Sequence, residues 1–307
     1  MEQDLAATRR LAASTTRAAS LQTYHTIRLL ADHDRASDAF RAYAYFRWLD
    51  DCLDEGGLQR SERLAFVERQ VTLVQDCYRG VNRTDASPEE RMLVDLVQTN
   101  AHPGGPLACY IDNMLAVMAF DADRRGRLIS QAQLNAYQHA LAVAVTEALH
   151  YFVGRGCAAP RTGARYRAVT AAHITHMLRD TSEDVQAGYF NIPLEFLHAH
   201  NTSPLDFNGS AYGAWVQDRV QLARRYFREG REYLAQVGNV RCRLAGLAYA
   251  ARFETVLDVM ERDGYYLRRE YGGRRTLGGA FRMGWSMLHS ALQAGIPTTA
   301  FRALTVR

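Results

Sequence analysis

Two pairs of acidic residues have the type and spacing that metal chemistry requires. Asp50 and Asp54 lie four residues apart in a segment whose apolar residues recur at helical spacing, so both carboxylates are expected on one helix face. Asp180 and Asp184 repeat this spacing in the second half of the chain. Stacked carboxylates repel each other and need a cation to neutralise them. A single pair is more simply a solvated acidic face, but the recurrence favours a metal site.

Mg²⁺ is the ion that fits these pairs best. It takes oxygen ligands and is usually held by one or two carboxylates together with phosphate oxygens of the substrate. Two such pairs, facing each other across a gap, are therefore expected to hold Mg²⁺ against a diphosphate. An Arg stands just upstream of each pair, at Arg47 and Arg179.

The acidic segments resemble the two aspartate-rich motifs of the squalene/phytoene synthase family. The first is RWLDDCLDE at residues 47–55, and the second is LRDTSED at residues 178–184, followed by Gly188 and by Ile192-Pro193. The resemblance extends from about residue 27 to about residue 269. It implies an all-α class I isoprenoid synthase fold, a helical bundle around a central cavity. It also implies Mg²⁺-dependent ionisation of an allylic prenyl diphosphate.

Composition and charge exclude several other classes of protein. The 37 Lys and Arg residues nearly balance the 33 Asp and Glu residues without a dense basic run, which argues against a nucleic-acid partner. Five scattered cysteines without CxxC spacing indicate a reduced, cytoplasmic protein rather than a disulfide framework. There is no signal-peptide pattern, and the most apolar run, residues 140–153, is too short to span a bilayer. At most peripheral membrane contact is expected.

Long segments without Pro or Gly predict helices throughout the chain, in one domain over residues 1–307. Helices are predicted over residues 3–19, 20–30, 60–79, 131–153 and 162–187, and over the segment of the first motif. Further helices are predicted to begin at Pro88 and near residue 106. Two long helices are predicted between residues 210 and 265, and two more beyond Gly273. The 131–153 helix is apolar on nearly all sides, which predicts a buried central position.

The residues around the acidic pairs extend the predicted site. Arg47 and Tyr43 lie one and two turns before the first pair, and in the family an Arg and a Tyr at these offsets line the diphosphate pocket. The planar guanidinium of Arg suits phosphate because it donates two parallel hydrogen bonds. Arg179 is assigned the same role. The alternatives are a surface salt bridge from Arg47 to Asp50 or Asp51, and plain core packing for Tyr43.

Two histidines depart from the family pattern beside the second motif. His173 and His176 stand seven and four residues before Asp180, where the family usually has Gln and Asn. They continue the acidic stripe along one helix face, and a His can act as a general base near neutral pH. The alternatives are two core histidines, or a zinc site made of His173, His176 and Asp180. Zinc is less favoured because the diphosphate motif already accounts for the aspartates.

The predicted central helix departs from the family in the size of its side chains. His139 takes the position of a family Tyr, and both His139 and Val143 are expected to contact substrate. Larger side chains stand where the family has glycines, at Ala140, Val143 and Thr146. Because protein interiors are close-packed, the added volume predicts a shorter or narrower channel. Tyr189 also replaces the usual Arg after Gly188, which removes a cation from the rim.

These departures spare the metal-binding half of the predicted site and alter the half that receives an acceptor. The favoured prediction is a Mg²⁺-dependent prenyltransferase that forms a C–C bond to a small aromatic acceptor, with His173 or His176 removing the ring proton. The first alternative is head-to-head condensation of two prenyl diphosphates, as in squalene or phytoene synthesis. The second is a non-catalytic isoprenoid-binding protein, which the four retained aspartates disfavour. The sequence leaves chain length and the use of NADPH open.

Overall fold

The computed structural model describes residues 2–54, 57–81, 83–100, 102–155, 159–269 and 271, and these residues form an all-α protein. Within these ranges no strand is present, and the one isolated β-bridge pairs Ile129 with Pro193. The all-α prediction is therefore confirmed. The two closing helices predicted beyond Gly273 lie outside the described residues. Within those residues, no helix is long and apolar enough to cross a membrane.

The helices are grouped into two compact units. The first contains Met1–Asp123 and Val143–Cys157, and the second contains Arg124–Ala142 and Ala158–Arg307. The prediction of a single domain over residues 1–307 stays a prediction.

Among its described residues, the first unit contains five complete helices, a sixth up to its last residue, and the second half of a seventh. They are α1 (Glu2–Ala19), α2 (Leu21–Leu30), α3 (Ala36–Asp54), α4 (Arg60–Tyr78), α5 (Pro88–Asn100), α6 (Pro106–Arg124) and α7 (Gln131–Gly154). Helix α3 packs on α1 and α5 and buries Phe46, Leu49 and Leu53, as its apolar spacing predicts. Tyr45 also anchors α3, because its hydroxyl donates to Gln70 Oε1 at 2.9 Å. The opposite face of α3 is left to carry Asp50 and Asp54.

The second unit begins with the first half of α7 and continues with shorter elements. These are a 3₁₀ turn (Gly163–Tyr166), α8 (Arg167–Arg179), α9 (Thr181–Ala187), α10 (Leu194–Ala199), α11 (Ser210–Ala235) and α12 (Val240–Arg262). Helix α8 packs along α11 and α12. Gly230 of α11 approaches α8 closely, since a Cβ atom there would lie 2.7 Å from the Cβ of Ala168. This contact fixes how near α8 lies to α11.

Two of the helix predictions need correction. The segment 162–187 is broken, because α8 ends at Arg179 and α9 begins at Thr181. At the break Thr181 Oγ1 donates to the carbonyls of Met177 and Leu178, at 2.9 and 3.1 Å, and such bonds compete with the helical pattern. The buried position predicted for residues 131–153 holds for only part of the helix. The first turns of α7 are polar at Gln133 and Asn135 and lie exposed.

Candidate active site

The first acidic pair lies at the end of α3. The negative charge of its carboxylates exceeds the positive charge that Arg47 supplies. Asp50 is 43% exposed and Asp54 is exposed. Partial burial, reinforced by the charges of Asp54, Asp121 and Asp51, raises the pKa of Asp50 to about 6, although Arg47 opposes the change. A divalent cation would relieve this repulsion, so the donor set fits Mg²⁺.

Asp121 is a member of this cluster that the acidic spacing did not identify as a site residue. It lies on α6, and its charge contributes to the raised pKa of Asp50. The two residues are 71 positions apart in the sequence. A local motif therefore contains no signal that would bring them together.

Arg47 adopts the salt-bridge arrangement that was considered as its alternative. Its Nε donates to Asp51 Oδ2 at 3.1 Å, and its Nη1 lies 3.6 Å from Asp50 Oδ2. Tyr43 is partly buried on the preceding turn. Exposed ion pairs contribute only about 0–1 kcal/mol, so Arg47 remains able to turn toward a bound anion.

The second acidic pair differs from the first because its leading carboxylate is already compensated. Asp180 accepts hydrogen bonds from Arg179 Nε at 2.6 Å and from Arg179 Nη2 at 2.7 Å. It also lies 2.7 Å from His176 Nε2. Partial burial opposes ionisation, yet these two basic residues hold the pKa of Asp180 well below its usual range. Asp184, in α9, accepts from Asn191 Nδ2 at 2.7 Å.

The two histidines occupy different environments, although both lie on α8. His173 is only 6% exposed, and its ring centroid lies 5.1 Å from that of Tyr137. Its Nδ1 is buried and has no hydrogen-bond partner among the described atoms. The His176 side chain is 51% exposed. Since a carboxylate only accepts, His176 Nε2 carries the proton shared with Asp180, and the neutral ring has its lone pair on Nδ1.

The predicted substrate residues on α7 are also placed differently from one another. His139 is exposed, and its ring meets the edge of Tyr166 at 5.9 Å. Val143, in the first unit, is 8% exposed. Thr146 is buried in the same unit, and its Oγ1 has no hydrogen-bond partner within the described part of the chain.

A pocket in the second unit lies beside the second acidic motif. It is open to solvent and is lined by residues that include Ile174, Thr181, Asn191 and Trp215. Neither Asp180 nor Asp184 lines it. The predicted metal ligands themselves therefore do not form its wall.

Comparison with known proteins identifies the family. The model of the squalene/phytoene synthase family matches residues 16–277, which include both acidic pairs. The chain belongs to the squalene/phytoene synthase family. The phytoene synthase of Thermus thermophilus is 30% identical over 147 residues, which are 45% of this chain. The match spans about half, 48%, of that relative.

Solved structures of squalene-type synthases share the fold. A dehydrosqualene synthase in complex with ligand superposes with a TM-score of 0.71 at 17% identity, covering 95% of this chain and 98% of the other. The squalene synthase HpnC from Alicyclobacillus acidocaldarius gives a TM-score of 0.66 at 18% identity, covering 87% and 96%. The predicted squalene/phytoene synthase fold is therefore confirmed.

The squalene/phytoene synthase motifs do not form a complete protein cage for a metal. Among the described residues, no three or more His, Cys, Asp and Glu side chains are grouped closely enough to hold an ion. The zinc site considered for His173, His176 and Asp180 is therefore not formed there. Mg²⁺ does not require such a cage, because it usually keeps water and substrate oxygens as ligands.

The stability of this squalene/phytoene synthase-like fold is expected to depend on pH through His173. Burial, together with the neighbouring bases His176 and Arg124, lowers the pKa of His173 to about 3. The unfolded chain exposes a His with a pKa of about 6.5 and binds the extra proton below that pH. The stability that neutral His173 contributes to the fold is therefore fully present above about pH 6.5. Below it, the free energy of unfolding should fall by up to about 1.4 kcal/mol per pH unit.

The variant His173→Gln isolates this pH dependence because Gln does not titrate. Urea unfolding at pH 7, 6 and 5 should show the wild type losing stability relative to the variant as the pH falls. If the two proteins differed in free energy of unfolding by the same amount at every pH, the buried, neutral state of His173 would be contradicted.

Proposed function

We propose that the protein is a Mg²⁺-dependent synthase that condenses two allylic prenyl diphosphates head to head. The observation that carries this proposal is the family match across residues 16–277, which retains both acidic pairs. The phytoene synthase relative and the squalene-type structural neighbours add support for a prenyl acceptor.

The aromatic acceptor favoured from the sequence is not supported by these comparisons. That preference depended on side chains expected to fill the acceptor half of a buried channel. His139, the first of them, is exposed and lies at the edge of Tyr166. Head-to-head condensation, the alternative to the aromatic reading, is therefore the better proposal.

The residues that would hold Mg²⁺ are the four aspartates of the two motifs. Asp50 and Asp54 have excess negative charge, whereas Asp180 has to exchange its contact with Arg179 for the metal while keeping its contact with His176. Bound Mg²⁺ supplies positive charge that stabilises the departing diphosphate. Arg179 and Arg47 then become available to donate to phosphate oxygens, for which their guanidinium groups are suited.

The proposed bond formation balances without an added redox reagent. The C–O bond of one allylic diphosphate breaks, and its electron pair leaves with the diphosphate. The double bond of the second molecule supplies the electron pair for the new C–C bond. Loss of one proton from C1 of the first prenyl unit then closes a cyclopropane ring, and the product keeps the diphosphate of the second molecule. His176 is the proposed acceptor of this proton, because Asp180 holds its Nε2 and directs the lone pair to Nδ1.

Product identification tests this function directly. Purified protein would be incubated with Mg²⁺ and allylic diphosphates of increasing chain length, with and without aromatic acceptors and with and without NADPH. The expected product contains two prenyl units and forms without any aromatic compound. A product made of one prenyl group joined to the aromatic compound would overturn the proposal and restore the aromatic alternative.

A narrower channel is expected to limit the chain length that the enzyme accepts. Val143 is buried where the family has glycine-like space, so Val143→Gly should extend the range of accepted diphosphates. The substitution should cost about 1 kcal/mol for Gly inside a helix and about 1.5–3 kcal/mol more for the lost buried side chain. Relative rates with substrates of increasing length would measure the effect. Efficient conversion of long-chain diphosphates by the unmodified enzyme would contradict it.

A further inference from the structure

Asn191 connects the second acidic motif to a buried arginine within the second unit. Its Nδ2 donates to Asp184 Oδ2 at 2.7 Å, and its Oδ1 accepts from Arg124 Nη1 at 2.8 Å. Because Arg only donates, the contact with Arg124 determines which end of the amide faces Asp184. The carboxylate of Asp184 is therefore oriented by a chain of two hydrogen bonds.

Arg124 is itself held firmly between aromatic rings. It is 6% exposed, and its guanidinium carbon lies 4.8 Å from the ring centre of Tyr137 and 5.0 Å from that of Tyr189. A guanidinium stacks favourably on aromatic faces, and a buried charge has to be compensated by such contacts and by hydrogen bonds. The position of Arg124 is thus set by several groups at once.

The backbone on both sides of Arg124 is tied to the segment that follows the second motif. The amide of Gly126 donates to the carbonyl of Gly188 at 2.8 Å, and the amide of Leu194 donates to the carbonyl of Ile129 at 2.8 Å. Gly188 has φ of +87°, and a Cβ atom there would lie 3.3 Å from the nitrogen of Gly126. The segment that follows Arg124 is therefore packed closely against the segment that contains Gly188 and Asn191.

We propose that Arg124 and Asn191 are positioning residues that orient Asp184 for Mg²⁺ and diphosphate. In this arrangement Arg124 also places a positive charge next to position 189, where Tyr189 stands instead of the usual family Arg. The inference rests on the proposed function, because it assigns Asp184 to metal binding. Its particular claim is that the orientation of Asp184 depends on Asn191 and Arg124.

Binding of Mg²⁺ with inorganic diphosphate, measured by calorimetry without any turnover, tests the inference. Asn191→Ala and Arg124→Lys are each expected to weaken this binding by about 10–100-fold, as is typical for residues that orient metal ligands. Arg125→Lys is the matched control, since Arg125 donates to the Ala187 carbonyl rather than to Asn191. It should change the affinity by less than about twofold. Unfolding in EDTA is measured in parallel, and if Arg124→Lys fails to fold, Asn191→Ala carries the test.

Asp184→Asn separates this inference from the function on which it rests. If Asp184→Asn abolishes binding while Asn191→Ala and folded Arg124→Lys bind normally, the positioning role is wrong and the proposed function stands. Unchanged binding in Asp184→Asn would overturn both. Lower stability in EDTA with unchanged affinity of the folded protein would show that the two residues only support the fold, and would also overturn the inference.

Discussion

Asp50→Ala and Asp184→Ala should each reduce product formation below detection while leaving the helical content unchanged. Each substitution removes one of the carboxylates proposed to bring Mg²⁺ to the diphosphate, and the C–O bond does not break at a useful rate without that charge. Both side chains are partly exposed, so little packing is lost on truncation. Product yield and circular dichroism, measured on the same preparations, would separate a chemical defect from misfolding.

Asp218→Ala provides a control on an exposed carboxylate outside the motifs. Asp218 pairs with its neighbour Arg219 on α11 and is 58% exposed, so its removal should leave turnover within about twofold of wild type. Activity in excess EDTA that remained within a few-fold of the Mg²⁺-supplied rate would show that the metal assignment is wrong for all four aspartates.

His176→Asn is expected to lower the rate of bond formation by about 10²–10⁴-fold, the usual contribution of a general acid–base group. Asn keeps a donor that can reach toward Asp180 but has no lone pair able to take a proton near neutral pH. Diphosphate binding should therefore be nearly unchanged while the chemical step slows. Single-turnover measurements with excess enzyme would report that step without interference from product release.

His173→Gln is the matched comparison for this prediction. The His173 ring is buried against Tyr137 and stays neutral, so its loss should cost less than that of the exposed His176. Full activity in His176→Asn would exclude it as the base. A product that only His176→Asn forms would instead show that the wild-type side chain restricts access of the second substrate.

Local patterns in the sequence predict most of the helices, because helix formation depends mainly on residues that are close together in the chain. The spacing of Phe46, Leu49 and Leu53 is sufficient to place Asp50 and Asp54 on the opposite face of α3. The six-residue helix α10 is too short to show such a period, so it was not predicted. The break before Thr181 was also missed, because it involves a hydroxyl that bonds to carbonyls of its own helix.

The contacts that complete the site are beyond what local patterns contain. Asp121 joins the first acidic cluster from another helix, and Asn191 bonds to Asp184 from the far side of a turn. The sequence likewise grouped His173 with His176 because they share a helix, whereas packing against Tyr137 buries only the first. Such differences arise from residues that are distant in sequence but adjacent in space.

The close approach of Gly230 to Ala168 limits how this protein can change over evolutionary time. Helix α8, which carries both histidines, has room beside α11 only while positions 168 and 230 both remain small. A larger residue at either position would push α8 aside and shift His173 and His176 with it. Most other residues of α8 are buried as well, so side chains that can vary without moving the helix are confined to its few exposed positions.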